Sequence, residues 1–105
     1  MEFCIHIIDN PDAVETRKAL VEAHRDYTVA TGVDVLMSGP LLAEDRRTMI
    51  GSLIVVDLES RAAVQKFLDE DPFMTGGVWD RVEVHDFYWR VGRPHGLPPP
   101  ANPPA

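Results

Sequence analysis

Between Phe3 and Ile8 large apolar side chains alternate with Cys4 and His6, and the run ends at the turn cluster Asp9-Asn10-Pro11. Period-two alternation predicts a strand, with Phe3, Ile5 and Ile7 on one side and Cys4 and His6 on the other. From Pro11 or Asp12 to about Thr31 the chain turns to Ala, Glu, Arg, Lys and Leu and stops at Gly32, which predicts a long helix. Its apolar residues Leu20, Val21, Tyr27 and Ala30 recur at three- and four-residue steps, and His24 sits in the middle of that stripe, so His24 is expected to point inward or into a cleft.

A second strand is predicted from Val33 to Ser38, closed by Gly39-Pro40, and a third from Thr48 to Leu58 after the polar bridge 43–47. Leu53 to Val56 shows no clean alternation, the pattern of a strand covered on both faces. Ser60 is positioned to cap a second helix whose stripe is Val64, Phe67 and Leu68, and Asp71 follows Phe67 by four residues on that side. Asp71-Pro72 has the form of a further helix start, because Asp accepts from first-turn amides and Pro at the first helical position loses no hydrogen bond. Gly76-Gly77 stops that turn, and Val78 to Val91 is expected to hold the last strand, with Val82, Val84, Phe87, Tyr88 and Trp89.

The order is βαββαβ. Two split β-α-β units with right-handed crossovers give an α+β fold, a four-stranded antiparallel sheet with both helices on one face. Because the strands read as apolar on both sides, the open face is expected to pack on a second copy across a two-fold axis, giving a homodimer and a dimeric α/β barrel. The domain is expected to end near residue 91. Residues 92–105 hold six of the nine prolines and form a proline-rich tail, extended in solvent, laid along a neighbouring surface, or recruiting a partner through polyproline recognition.

At 105 residues, 45% hydrophobic and 26% charged, the chain suits one globular domain with a real core. A net charge of -7 with scattered bases disfavours nucleic acid, while a small anion in a local pocket remains compatible with it. Cys4 is the only cysteine, so neither an intrachain disulfide nor a cysteine-based zinc cluster forms. No apolar run approaches a membrane span, no basic leader precedes one, and the expected compartment is the cytoplasm.

His24 and Asp71 are an imidazole and an acid that the fold can bring together. On the residues alone the simpler readings are a core histidine satisfied by Tyr27 or a carbonyl, and a helix cap. Paired, Asp71 would orient the ring and leave its other nitrogen to take or give a proton near neutral pH. Ser38 offers a hydroxyl to a ligand, though a serine before Gly-Pro more commonly bonds backbone. Gly39 allows close backbone approach or a turn needing positive φ. Tyr27 and Phe73 are candidates for an apolar wall against an aromatic ligand, and core packing accounts for them equally. His6 and His85 fall on neighbouring strands, but no third ligand accompanies them, so no metal site is assigned. No phosphate loop, dinucleotide turn, nucleophile elbow or H-E-x-x-H occurs, and no cofactor is expected.

Ala23-His24, Ser38-Gly39-Pro40-Leu41, Gly51-Ser52-Leu53-Ile54-Val55, Ser60, Phe67, Asp71-Pro72-Phe73 and Gly77-Val78, in this order and spacing, resemble the YciI-like family over about residues 1–91. The resemblance implies a ferredoxin-like dimeric barrel, with His24 standing for the family histidine and Asp71 for the aspartate of its Asp-Pro-aromatic motif. One branch of that family removes chloride as HCl from a chlorinated hydroquinone-type ring, and the fold is similar to that of muconolactone isomerases. The tail lies outside the family pattern, and Gly76 stands where alanine is more usual. The expectation is a small cofactor-free lyase or isomerase using His24 and Asp71 on a cyclic or aromatic metabolite. The rivals are a non-catalytic small-molecule-binding barrel and an oxygenase of the related dimeric barrels, in which a histidine binds haem or the pocket activates a substrate directly.

Overall fold

The computed structural model describes residues 1–100 together with 103 and 104. Strand β1 (Glu2–Asp9) leads to helix α1 (Val14–Thr31), then to β2 (Asp34–Leu42) and β3 (Met49–Asp57). Helix α2 (Arg61–Asp69), the single turn α3 (Pro72–Thr75) and β4 (Trp79–Asp86) complete the chain order. The strands form one antiparallel sheet in the order β2-β3-β1-β4, the α+β, ferredoxin-like arrangement.

Alternation in β1 decides the two faces. Phe3, Ile5 and Ile7 are fully buried on the helix side, where Val56, Ile54 and Ser52 stand opposite them on β3. Val64, Phe67 and Leu68 of α2 and Phe73 of α3 complete this core, with Leu20, Val21 and Tyr27 of α1 packed against it. On the other face Cys4 pairs with Val55 and His85, and His6 with Leu53 and Glu83. His6 and His85 are therefore not directly opposed, and among the described residues no group of three or more His, Cys, Asp or Glu is placed to hold a metal ion. No helix among them is long and apolar enough to cross a membrane.

The element ends follow hydrogen-bonding chemistry. Gly32 closes α1 in the left-handed region (φ 69) with its N–H on the Val29 carbonyl, Ser60 Oγ accepts from the Ala63 amide, and Asp71 caps α3. Four expectations need correction. First, α1 starts at Val14 because Asn10 Oδ1 takes the Asp12 amide into a turn. Second, Ala30 is exposed, and the inward position two turns before His24 is filled by Arg17. Third, β2 is not closed by Gly39-Pro40 but runs on to Leu42; as an edge strand it tolerates a proline, which has no N–H to give the ladder. Fourth, β4 ends at Asp86, opposite Phe3, because β1 has almost no chain left to pair with; Phe87 makes one further bond to the Glu2 carbonyl, and Tyr88 and Trp89 lie beyond the sheet.

In the segment after β4, Arg93 Nη1 donates to Glu2 Oε1 at 2.7 Å and its Nε and Nη2 donate to the Pro98 carbonyl. Through Leu97 and Pro98 the tail borders a cavity of about 470 Å³ that Leu36 and Phe87 also line. Residues 101, 102 and 105 of the expected tail lie outside the described residues.

Candidate functional site

The site is built where α1 crosses the single turn α3. Asp71 precedes Pro72 with extended backbone (φ -70, ψ 134), and its Oδ1 accepts from the Phe73 amide at 2.8 Å. This cap turns the carboxylate toward α1, where it is 1% exposed and faces His24: Nδ1 lies 2.9 Å from Oδ1 and 2.8 Å from Oδ2. An ionised carboxylate only accepts, so Nδ1 carries the proton and Nε2 is the nitrogen left for other chemistry. The His24 side chain keeps 23% of its surface exposed, so the pair opens to solvent on the histidine side.

Phe73, buried, stacks on the imidazole with centroids 4.1 Å apart and planes within 9°. The Arg17 guanidinium carbon stands 4.7 Å from the centroid of the same Phe73 ring. Arg17 is itself buried, with Nε on Asp9 Oδ2 at 2.6 Å and Nη2 on Ser52 Oγ at 2.8 Å and the Gly51 carbonyl at 3.1 Å.

Beside His24 is a cavity of about 360 Å³, lined by His24, Arg25, Val35, Ser38, Ile54 and Phe67 among others. It is mostly apolar with a few polar groups, the usual make-up of a small-molecule site. His24 does not line the larger cavity under the tail, so of the two it is the smaller that offers the imidazole to a bound molecule, with Asp71 behind it.

The residues singled out in the sequence divide as follows. His24 and Asp71 meet, Phe73 supports the imidazole, and Ser38 lines the cavity. Gly39 pairs with Leu53 on the face away from the helices, its φ is not positive, and it does not line this cavity. Tyr27 is turned to α2 instead: its hydroxyl donates to the Phe67 carbonyl at 2.6 Å and its ring stacks on Phe67. Burial, with the Glu70 and Asp71 carboxylates adding to it, pushes the Tyr27 hydroxyl up from its usual pKa. Gly76 has a spatial reason, since a Cβ there would collide with the Leu20 side chain and the Pro72 carbonyl. Phe67 and Ile54 as cavity walls, and the Asp9-Arg17-Ser52 group, are additions of the structure. The signal for Arg17 was present: it lies seven residues before His24, two turns down the same helix face.

A model of the YCII-related domain matches residues 1–88. The chain belongs to the YCII-related domain family. Protein YciI of Escherichia coli O6:H1 and that of Shigella flexneri are each 30% identical to it over 94 residues, covering 83% of this chain and 96% of theirs. Among solved structures, 5-chloro-2-hydroxyhydroquinone dehydrochlorinase from Burkholderia phenoliruptrix, in complex with 2,5-dihydroxybenzoquinone, superposes with a TM-score of 0.74. It is 27% identical, and the match covers 88% of this chain and 96% of that one. The family match spans residues 1–88, which include all four strands and all three helices of the described residues.

Proposed function

We propose that this chain is a small enzyme in which His24 and Asp71 transfer a proton, without a cofactor, in an elimination or isomerisation on a small ring compound. The observation that carries the reading is the Asp71 carboxylate at 2.8 Å from Nδ1, which leaves Nε2 as the exchangeable nitrogen of a histidine that lines a cavity. Asp71 holds the tautomer and offsets the charge of the imidazolium that forms when Nε2 takes a proton. The apolar walls Phe67, Ile54 and Val35 suit the body of a ring compound, and the Ser38 hydroxyl suits a ring oxygen.

A halogenated polyhydroxybenzene is the substrate class that the dehydrochlorinase neighbour suggests. For such a ring the balance is one proton and one chloride. Ketonisation of one hydroxyl moves its proton to the chlorine-bearing carbon. Removal of a second hydroxyl proton by His24 then drives the electron pair through the ring and expels chloride, leaving a hydroxyquinone. The proposal includes a homodimer, since Ile8, Met37 and Leu53 share the sheet face that no helix covers, and Met37 is exposed there.

The deciding experiment is chloride release from 5-chloro-2-hydroxyhydroquinone by the purified chain and by His24→Ala. Turnover that falls by about a hundred- to ten-thousand-fold in the variant is expected. Binding of 2,5-dihydroxybenzoquinone with no turnover of any halogenated polyhydroxybenzene would replace the enzyme by the non-catalytic binding barrel.

A further inference from the structure

A buried arginine in a domain of this size calls for a reason. Arg17 and Asp9 are 4% and 7% exposed, and burying an ion pair typically gives no more stability than well-packed apolar side chains of the same volume. Four hydrogen bonds hold the guanidinium: two to Asp9, one to Ser52 Oγ and one to the Gly51 carbonyl. Gly51 is part of the fit, because a Cβ there would run into the Ile7 carbonyl.

What this anchored plane touches is the Phe73 ring. Arg17 and His24 are separated by two helical turns, about 10.5 Å of rise, which leaves room for one aromatic ring between their side chains. The imidazole lies flat on that ring with centroids 4.1 Å apart, and the guanidinium carbon stands over the same ring 4.7 Å from its centroid. Both groups thus contact the Phe73 ring, and the guanidinium is tied to the sheet. A hydrogen bond to Asp71 alone leaves the imidazole free to rock about that bond. The ring against its face removes this freedom, and it does so only while Phe73 cannot tilt.

We infer that Arg17 is a positioning residue for His24, acting through Phe73: the Asp9-Gly51-Ser52 anchor sets the guanidinium, the guanidinium sets the Phe73 plane, and that plane directs Nε2 into the cavity. This deepens the proton-transfer reading of His24 and rests on it for its functional consequence. Lysine would keep the charge opposite Asp9 but offers neither a plane to stack nor a fork to anchor.

The test compares Arg17→Lys with the full chain in two measurements. The first is the set of NMR cross-peaks between the His24 and Phe73 rings, which needs no substrate. The second is kcat and KM for chloride release from 5-chloro-2-hydroxyhydroquinone. In Arg17→Lys the cross-peaks weaken and kcat falls on the order of ten- to a hundredfold, the scale of a small misplacement of a reacting group, while KM holds. A merely structural arginine would lower the melting temperature and leave kcat and the cross-peaks as they are, and that result overturns the inference. Should Arg17→Lys not fold, Ser52→Ala, which removes one tether and no charge, is judged by the same two measurements and the same criteria. Full turnover in His24→Ala would instead defeat the proton-transfer reading, and the cross-peaks would still decide whether Arg17 orders the stack.

Discussion

His24 Nδ1 and the Asp71 carboxylate stand 2.8 Å apart although 47 residues separate them in the chain, and the same carboxylate caps α3 through the Phe73 amide. Helix cap and imidazole partner are thus one group. The cap aims the carboxylate, and the histidine takes up the acceptor capacity that the cap leaves.

The two duties separate by substitution. Asn caps nearly as well as Asp, so Asp71→Asn is expected to cost less than about 1 kcal/mol of stability. Asp71→Ala loses both cap and imidazole bond and is expected to cost about 2 to 4 kcal/mol. Turnover falls at least about a hundredfold in both, because neither replacement carries the charge that supports an imidazolium. Urea unfolding alongside chloride release measures the split, and full activity in Asp71→Asn would reduce Asp71 to a cap.

Gly51→Ala puts a methyl group against the Ile7 carbonyl in the paired strands and disturbs the carbonyl that receives Arg17. The expected loss is about 1 to 3 kcal/mol, as for overpacking in a tight core. Gly39→Ala is the control, since a Cβ there meets nothing within 4 Å. Equal melting temperatures for the two variants would contradict the packing described.

Tyr27 gives the protein an alkaline limit. Its folded pKa is raised, first by burial and then by Glu70 and Asp71, so the folded state holds the proton after the unfolded chain has released it. The stability this contributes is complete below about pH 10, the ordinary tyrosine value, and is lost as pH rises through the folded pKa. Tyr27→Phe is expected to cost about 1 kcal/mol at neutral pH, where the bond to the Phe67 carbonyl is lost, and to show a shallower decline of stability above pH 10. Denaturant midpoints followed from pH 8 to 11 check both.

The sheet face bearing Ile8, Met37 and Leu53 is expected to be covered by a second copy, so light scattering should give twice the chain mass of 11.7 kDa. A charge placed at Leu53, Leu53→Glu, should shift the population toward monomer, because an ionised side chain is costly to bury in an apolar interface. A monodisperse monomer of the unmodified chain at micromolar concentration removes the barrel from the proposal.

Local periodicities made much of this legible. Alternation from Phe3 to Ile7 identified the first strand and its inner face. The three- and four-residue steps around His24 put the imidazole on the inward side of α1, and Asp71-Pro72 marked a helix start four residues beyond Phe67. These are properties of neighbouring residues, so the chain itself carries them. The tertiary structure decided what depends on register and on partners distant in sequence. Strict alternation from Val35 would send Ser38 to the face away from the helices. A bulge between Val35 and Met37 shifts the pairing by one residue, so that Ser38 faces the cavity opposite Ile54 and Gly39 turns away opposite Leu53. Arg17 reads as one base among several until folding supplies Asp9, Gly51 and Ser52 as its partners, from 8, 34 and 35 residues away. A strand's two-residue period says that faces alternate, but which face a residue takes after an irregularity is set by the neighbouring strand, and a buried charge acquires its meaning only from the groups that satisfy it.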